Sequence, residues 1–214
     1  MLRRNVAIAC DGVQVAGELT LPEPAIGVVV FAHGSGSSRF SPRNQYVAGV
    51  LQQAGLGTLL MDLLTEMEAT DRQKVFDIIL LGQRLRCAKS WLEEQAETRD
   101  LPLGYFGAST GAAAALVAAA QEPQRVQAVV SRGGRPDLAE DFLPMVSAPT
   151  LLLVGERDEV VLELNQRAMR LLRCPHQLVV IPGATHLFPE PGALERVAEL
   201  ARDWFLKYLT RKPE

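Results

Sequence analysis

The chain has 214 residues, of which 48% are hydrophobic and 22% charged, with a net charge of −3. That balance gives a folded core and excludes a disordered chain; it offers no basic surface for nucleic acid or an anionic membrane. The length suits one domain, taken as residues 1–214, and no apolar run approaches a membrane span. Met1-Leu2-Arg3-Arg4 is basic, but the apolar stretch from Val6 to Cys10 is too short for a signal sequence. A cytoplasmic chain is therefore expected. The three cysteines, Cys10, Cys87 and Cys174, are odd in number and lack metal-ligand spacing, so they are expected to be reduced and structural.

In chain order, Asn5 to Ala9 and Val13 to Leu21 predict a β-hairpin around the turn Cys10-Asp11-Gly12. Ile26 to Ala32 reads as a strand buried on both faces. It runs into His33-Gly34-Ser35-Gly36, a loop that can turn the N–H of Ser35 toward a reacting group. The loop has neither the lysine nor the glycine spacing of a phosphate-binding loop. Pro42 to Ala54 has helical spacing, and Gly57 to Leu64 is another buried strand. Asp71, or a residue near it, caps a helix expected to run to Glu94. One face carries Val75, Ile78, Ile79, Leu81 and Leu85; the other carries Arg72, Lys74, Arg84, Arg86 and Lys89 as a solvated surface.

Leu101 to Phe106 then forms a short apolar run, followed by Gly107-Ala108-Ser109-Thr110-Gly111 and an alanine-rich helix. Strand, tight turn and helix with a serine at the turn is the setting of a nucleophile elbow. Bulk at 107 or 111 would clash with the neighbouring strand or helix. The new helix start aims the N–H of Thr110 where an oxyanion would form. Further strands are expected from Val126 to Ser131, Pro149 to Gly155 and His176 to Ile181. Helices are expected over roughly Val161 to Leu172 and Gly192 to Leu209. Buried strands alternating with helices predict a mostly parallel sheet covered on both faces, with an antiparallel hairpin at its start. The loops after the strands then gather on one rim of the sheet.

A serine hydroxyl needs a base, and the base needs an acid to orient it. His33 reads as an architectural residue under the glycine loop, and His176 has no loop setting. His186 lies in a loop after the last strand, where it can swing over Ser109. Asp158, three residues past a strand end, is the matching acid; Glu156, Glu159 and Asp137 compete, and Asp158 could instead be a helix cap. Arg132 and Arg135 lie on the same rim. Either could bind a substrate carboxylate or phosphate; the other reading pairs them with Asp137, Glu140 or Asp141.

The order Ser109, Asp158, His186, each beyond its own strand, together with His33-Gly34-Ser35-Gly36, resembles the α/β-hydrolases from the first hairpin to the last helix. Within that fold the chain is similar to small dienelactone-hydrolase-like proteins. Ser131-Arg132-Gly133-Gly134-Arg135-Pro136-Asp137 and Leu162-Glu163-Leu164-Asn165 resemble a subgroup sometimes fused to a phosphoribosyltransferase domain. True dienelactone hydrolases carry a cysteine where Ser109 stands. The resemblance implies hydrolysis of small-molecule esters through an acyl-enzyme, without metal or organic cofactor. Thioesterase, amidase, peptidase or acyltransferase chemistry on the same triad is the alternative, and a catalytically weak ligand-binding protein is the alternative of another class. Activity should fall as acid protonates His186. The connection from Ser131 to Pro149, about 18 residues, is too short for a helical cap, so a shallow, open site for small or extended substrates is expected. Oligomeric state is left open.

Overall fold

A computed structural model describes residues 1–209, so the last five residues of the expected domain lie outside the described residues. Eight strands form one sheet in the order β1-β2-β4-β3-β5-β6-β7-β8. The hairpin is β1 (Leu2–Cys10) with β2 (Val13–Leu21). Then follow β3 (Gly27–Ala32), β4 (Leu56–Met61), β5 (Leu103–Ala108), β6 (Val126–Arg132), β7 (Thr150–Gly155) and β8 (His176–Ile181). β2 runs antiparallel to β4; every pairing from β4 to β8 is parallel. This is the α/β-hydrolase arrangement expected from the sequence, with no large cap.

The strands are apolar because helices cover both faces. Alternation along β3 divides the core: Val28 and Val30 face one cluster and Val29 and Phe31 the other. On the first side lie α3 (Ile78–Glu94) and α4 (Thr110–Gln121); on the second lie α1 (Pro42–Gln53) and α6 (Ala193–Leu209). Residues 110–120 of α4 are all buried, which small alanine side chains permit without separating helix from sheet. α5 (Glu159–Met169) begins at Asp158.

The single long helix expected after Asp71 is two helices. α2 spans Arg72–Val75 and α3 starts at Ile78. The reason is two caps: the Asp71 carboxylate accepts from Gln73 N–H at 2.9 Å, and that of Asp77 from Leu80 N–H at 2.9 Å. The break also overturns part of the predicted faces. Ile79 is exposed, and Arg84 is buried rather than solvated. Arg84 tolerates burial because Nη2 donates to Glu68 Oε1 at 2.8 Å and Nη1 to the Cys10 carbonyl at 3.0 Å.

The cysteine expectation also fails. Cys10, at the end of β1, and Cys87, in α3, form a disulfide across 77 residues; Cys174 is free and buried. No sequence spacing announces this pair, because the fold alone lays the hairpin against α3. Cys10, Asp11 and Cys87 bring metal-type donor atoms within 4.8 Å of one another, but the two sulfurs are already bonded to each other. Closing so long a loop contributes about 2–4 kcal/mol. Reduction should therefore lower Tm by about 4–16 °C, measured in melts with and without a thiol reductant. No helix among the described residues is long and apolar enough to cross a membrane.

Candidate active site

Ser109 links β5 to α4 with φ 52° and ψ −120°, a conformation that costs an L-residue about 1–3 kcal/mol. Three backbone hydrogen bonds hold it there. Its N–H donates to the Arg132 carbonyl, and its own carbonyl accepts from Ala112 and Arg135, each at 3.1 Å. The flanking glycines are explained by close approach. A Cβ at Gly107 would lie 2.4 Å from Ala112 Cα, and one at Gly111 would lie 2.3 Å from the Ala32 carbonyl oxygen. So α4 starts hard against the end of β3, which fixes the serine beside the loop at 33–38.

That loop is organised by His33. Its Nε2 accepts from Leu63 N–H at 3.1 Å, which leaves Nδ1 to donate to the Gly34 carbonyl at 2.9 Å. Burial pushes the His33 pKa below the usual histidine value, outweighing the Gly34 hydrogen bond and nearby Asp62. Both ring nitrogens therefore serve the backbone, as the architectural reading required. Ser35 N–H donates to Thr110 Oγ1 at 2.9 Å. The two residues named as oxyanion donors thus meet, but the Ser35 N–H is already engaged by the threonine hydroxyl. Thr110 opens α4, so its N–H has no intrahelical acceptor.

Asp158 and His186 come together because their loops are joined by the main chain. Glu156 N–H donates to the Ile181 carbonyl and Arg157 N–H to that of Ala184, at 3.0 and 2.9 Å. Gly155 permits this contact, since a Cβ there would lie 2.4 Å from the Ala184 oxygen. His186 Nδ1 then lies 2.6 Å from Asp158 Oδ2, with Asp158 the more buried partner. Donation from Nδ1 leaves Nε2 as the free nitrogen. The imidazole packs over Gly133, where a Cβ would meet the ring at 3.4 Å. Gly133 follows Arg132, whose carbonyl accepts the Ser109 N–H, so His186 and Ser109 are both seated on this one loop. Among the described residues no hydrogen bond reaches Ser109 Oγ.

Three supporting residues escaped the sequence reading. Glu190 accepts from Thr185 N–H at 3.0 Å and Thr185 Oγ1 at 2.6 Å, tying the segment just before His186. These Thr185 hydrogen bonds hold the Glu190 carboxyl below its usual value. Glu156 Oε2 accepts from Gly183 N–H at 2.7 Å. Buried Asn165 of α5 donates to the Gly134 carbonyl at 3.0 Å. A Thr and a Glu five apart around a loop histidine is a weak signal; Asn165, 31 residues from its partner, gives none.

The two arginines part company. Arg135 makes a two-point pair with Asp137, at 2.8 and 2.7 Å, as one reading expected. This pairing raises its pKa. Arg132, the last residue of β6, is only 7% exposed and has no such partner. Burial, with Arg43 nearby, lowers its pKa to about 10.

The expectation of a shallow site needs correction. The connection between β6 and β7 does stay short, holding one kinked 3-10 segment at Pro136–Met145. A cavity of about 560 Å³ nevertheless reaches Ser35 and Thr110. It is walled by the 33–40 loop, residues 62–66 after β4, and side chains of β2, α2 and α3. Arg39 fixes that wall: its N–H donates to Asp62 Oδ1 at 2.8 Å and its guanidinium pairs with the same carboxylate. The pocket comes from segments the sequence offered only as loops and helix starts.

Fold and site together define an α/β-hydrolase. Residues 15–210 match the dienelactone hydrolase family, and the chain belongs to it. A dienelactone hydrolase from Anabaena variabilis ATCC 29413 superposes with a TM-score of 0.94 at 56% identity, covering 97% of this chain and 98% of that one. Est1E from Butyrivibrio proteoclasticus shares the fold, with a TM-score of 0.82 at 18% identity over 95% of this chain and 98% of its own. A Mycobacterium tuberculosis (strain H37Rv) protein bearing the name of a phosphoribosyl transferase is 62% identical over 205 residues, which is 96% of this chain and 46% of that protein. The chain thus spans about half the length of the curated relatives it matches.

Proposed function

We propose that the chain is a single-domain serine esterase acting on small-molecule esters through an acyl-enzyme. The observation that carries this reading is the 2.6 Å His186–Asp158 pair, set over the loop whose Arg132 carbonyl clamps Ser109. His186 Nε2 accepts the Ser109 proton as Oγ attacks the ester carbonyl. Asp158 holds the ring and stabilises the imidazolium. The oxyanion takes the N–H of Thr110, and that of Ser35 once the Thr110 hydroxyl rotates off it. His186 then protonates the leaving alcohol, and water repeats the sequence on the acyl-enzyme. Because Ser35 and Thr110 line the cavity, the acyl part of the substrate lies there, against mixed apolar and polar walls. Arg135 is left out, since Asp137 already occupies its Nε and Nη2 edge.

The test is labelling by a fluorophosphonate, which reacts only with an activated serine. Wild type is expected to label at one site and Ser109→Ala not at all. Well-folded wild type that stays unlabelled would rule out the activated nucleophile.

A further inference from the structure

Arg132 is a buried cation without an anion. Alternation along β6 places its side chain with Ala128 and Val130, on the face covered by α1 and α6. Its Nε and Nη1 are inaccessible and have no hydrogen-bond partner among the described residues. The charge acting on it is another cation, Arg43 in the first turn of α1, the helix that covers this face, and the Arg43 Nε is likewise buried and unpaired. The next residue, Asn44, is buried with Oδ1 unpaired. A lone buried guanidinium is unfavourable, and the field of a second cation makes matters worse. Two guanidiniums at a helix N-terminus are matched by a group bearing about two negative charges, as a phosphate monoester does. Only the backbone of Arg132 is bonded to the elbow, its carbonyl accepting the Ser109 N–H at 3.1 Å, while the guanidinium lies on the α1/α6 face beneath it.

We propose that Arg132 and Arg43 form a phosphate-binding site flanking the nucleophile elbow. The phosphate belongs either to the substrate or to free inorganic phosphate. Occupancy of the site does not depend on the esterase reading; recognition of a phosphorylated substrate rests on it.

The first measurement is Tm of the wild type in sodium phosphate against sodium chloride at equal ionic strength. Tm should rise with the logarithm of phosphate concentration. Arg132→Met and Arg43→Gln should each abolish that rise. In chloride Arg132→Met should melt no lower than wild type, because it no longer buries an unpaired charge. A wild type insensitive to phosphate, or a rise undiminished in both variants, overturns the site. If Arg132→Met does not fold, the Arg43→Gln result decides.

The second measurement separates the sources, using acetyl esters of glycerol phosphate and of glycerol. A preference of about tenfold in kcat/KM for the phosphorylated ester, falling toward one in Arg132→Met, assigns the site to substrate. Equal rates alongside a phosphate-dependent Tm assign it to free phosphate. Should neither ester react and the fluorophosphonate fail to label, the esterase reading falls while the Tm result still stands for the site.

Discussion

His186→Ala is expected to lower kcat for a simple ester by about 10⁶-fold, and Asp158→Asn by about 10⁴-fold. The two losses differ because the residues do different things. Without His186 nothing takes the Ser109 proton. With asparagine at 158 the imidazole stays in place, but the partner of its Nδ1 no longer demands a donor, so the tautomer with Nε2 free is lost. Neither change touches the core: the His186 side chain is 37% exposed, and Asp158, though it stands at the start of α5, makes no side-chain cap hydrogen bond to lose. Each variant should therefore melt within a few degrees of wild type while failing in turnover. Steady-state kinetics at saturating ester, beside thermal melts, checks both halves. Comparable small losses in the two variants would remove the triad assignment.

Glu68→Gln should be the most destabilising single exchange outside the apolar core. The Glu68 carboxylate accepts from Thr65 N–H at 3.0 Å and from buried Arg84 at 2.8 Å, with Lys74 at 3.5 Å. Breaking one side of a buried pair costs about 3–5 kcal/mol, which corresponds to a Tm fall of about 6–20 °C. Burial works to raise the Glu68 pKa, but the Thr65 N–H, Arg84 and Lys74 outweigh it, and the net direction is downward. A carboxyl depressed on folding contributes stability that is full above its unfolded value, near 4.5, and is lost as pH falls through the folded one. The gap between wild type and Glu68→Gln should thus be widest near neutrality and close as pH falls below 4.5 through the lower folded value. Melts across that range provide the check. A gap that does not change with pH would show that the loss is one of packing rather than charge.

Much of the fold was legible because its signals are local. Runs such as Gly27–Ala32 and Thr150–Gly155 are apolar at every position, and the elbow is written in five consecutive residues. The order of Ser109, Asp158 and His186 could be read since each follows its own strand. What escaped depends on contacts between distant segments. Asp77 as a second cap was visible but not distinguishable from a surface acid inside a long amphipathic pattern. Arg84 looked solvated because its partners, Glu68 and the Cys10 carbonyl, lie on other elements. The Cys10–Cys87 bond required knowing that β1 ends against α3. The cavity was missed because the sequence points to one usual place for a cap and the walls came from another. Arg132 ends β6 and Arg135 lies three residues on in the loop, yet the first is buried and the second faces a carboxylate; both looked like rim residues because the end of the strand could not be fixed from the sequence.

The main-chain bonds between the loops after β7 and β8 bear on how the site moves. Arg157 is bonded to Ala184 and Glu156 to Ile181, while Gly183 is bonded back to Glu156. Asp158 and His186 are therefore carried on two loops bonded into one unit. A fluctuation that lifts His186 away from Ser109 takes Asp158 with it, so the imidazole keeps its orientation throughout the excursion. On the proposed mechanism, any motion there should change the separation of His186 from Ser109 and leave the 2.6 Å pair intact, because Ser109 is clamped separately to β6 and α4.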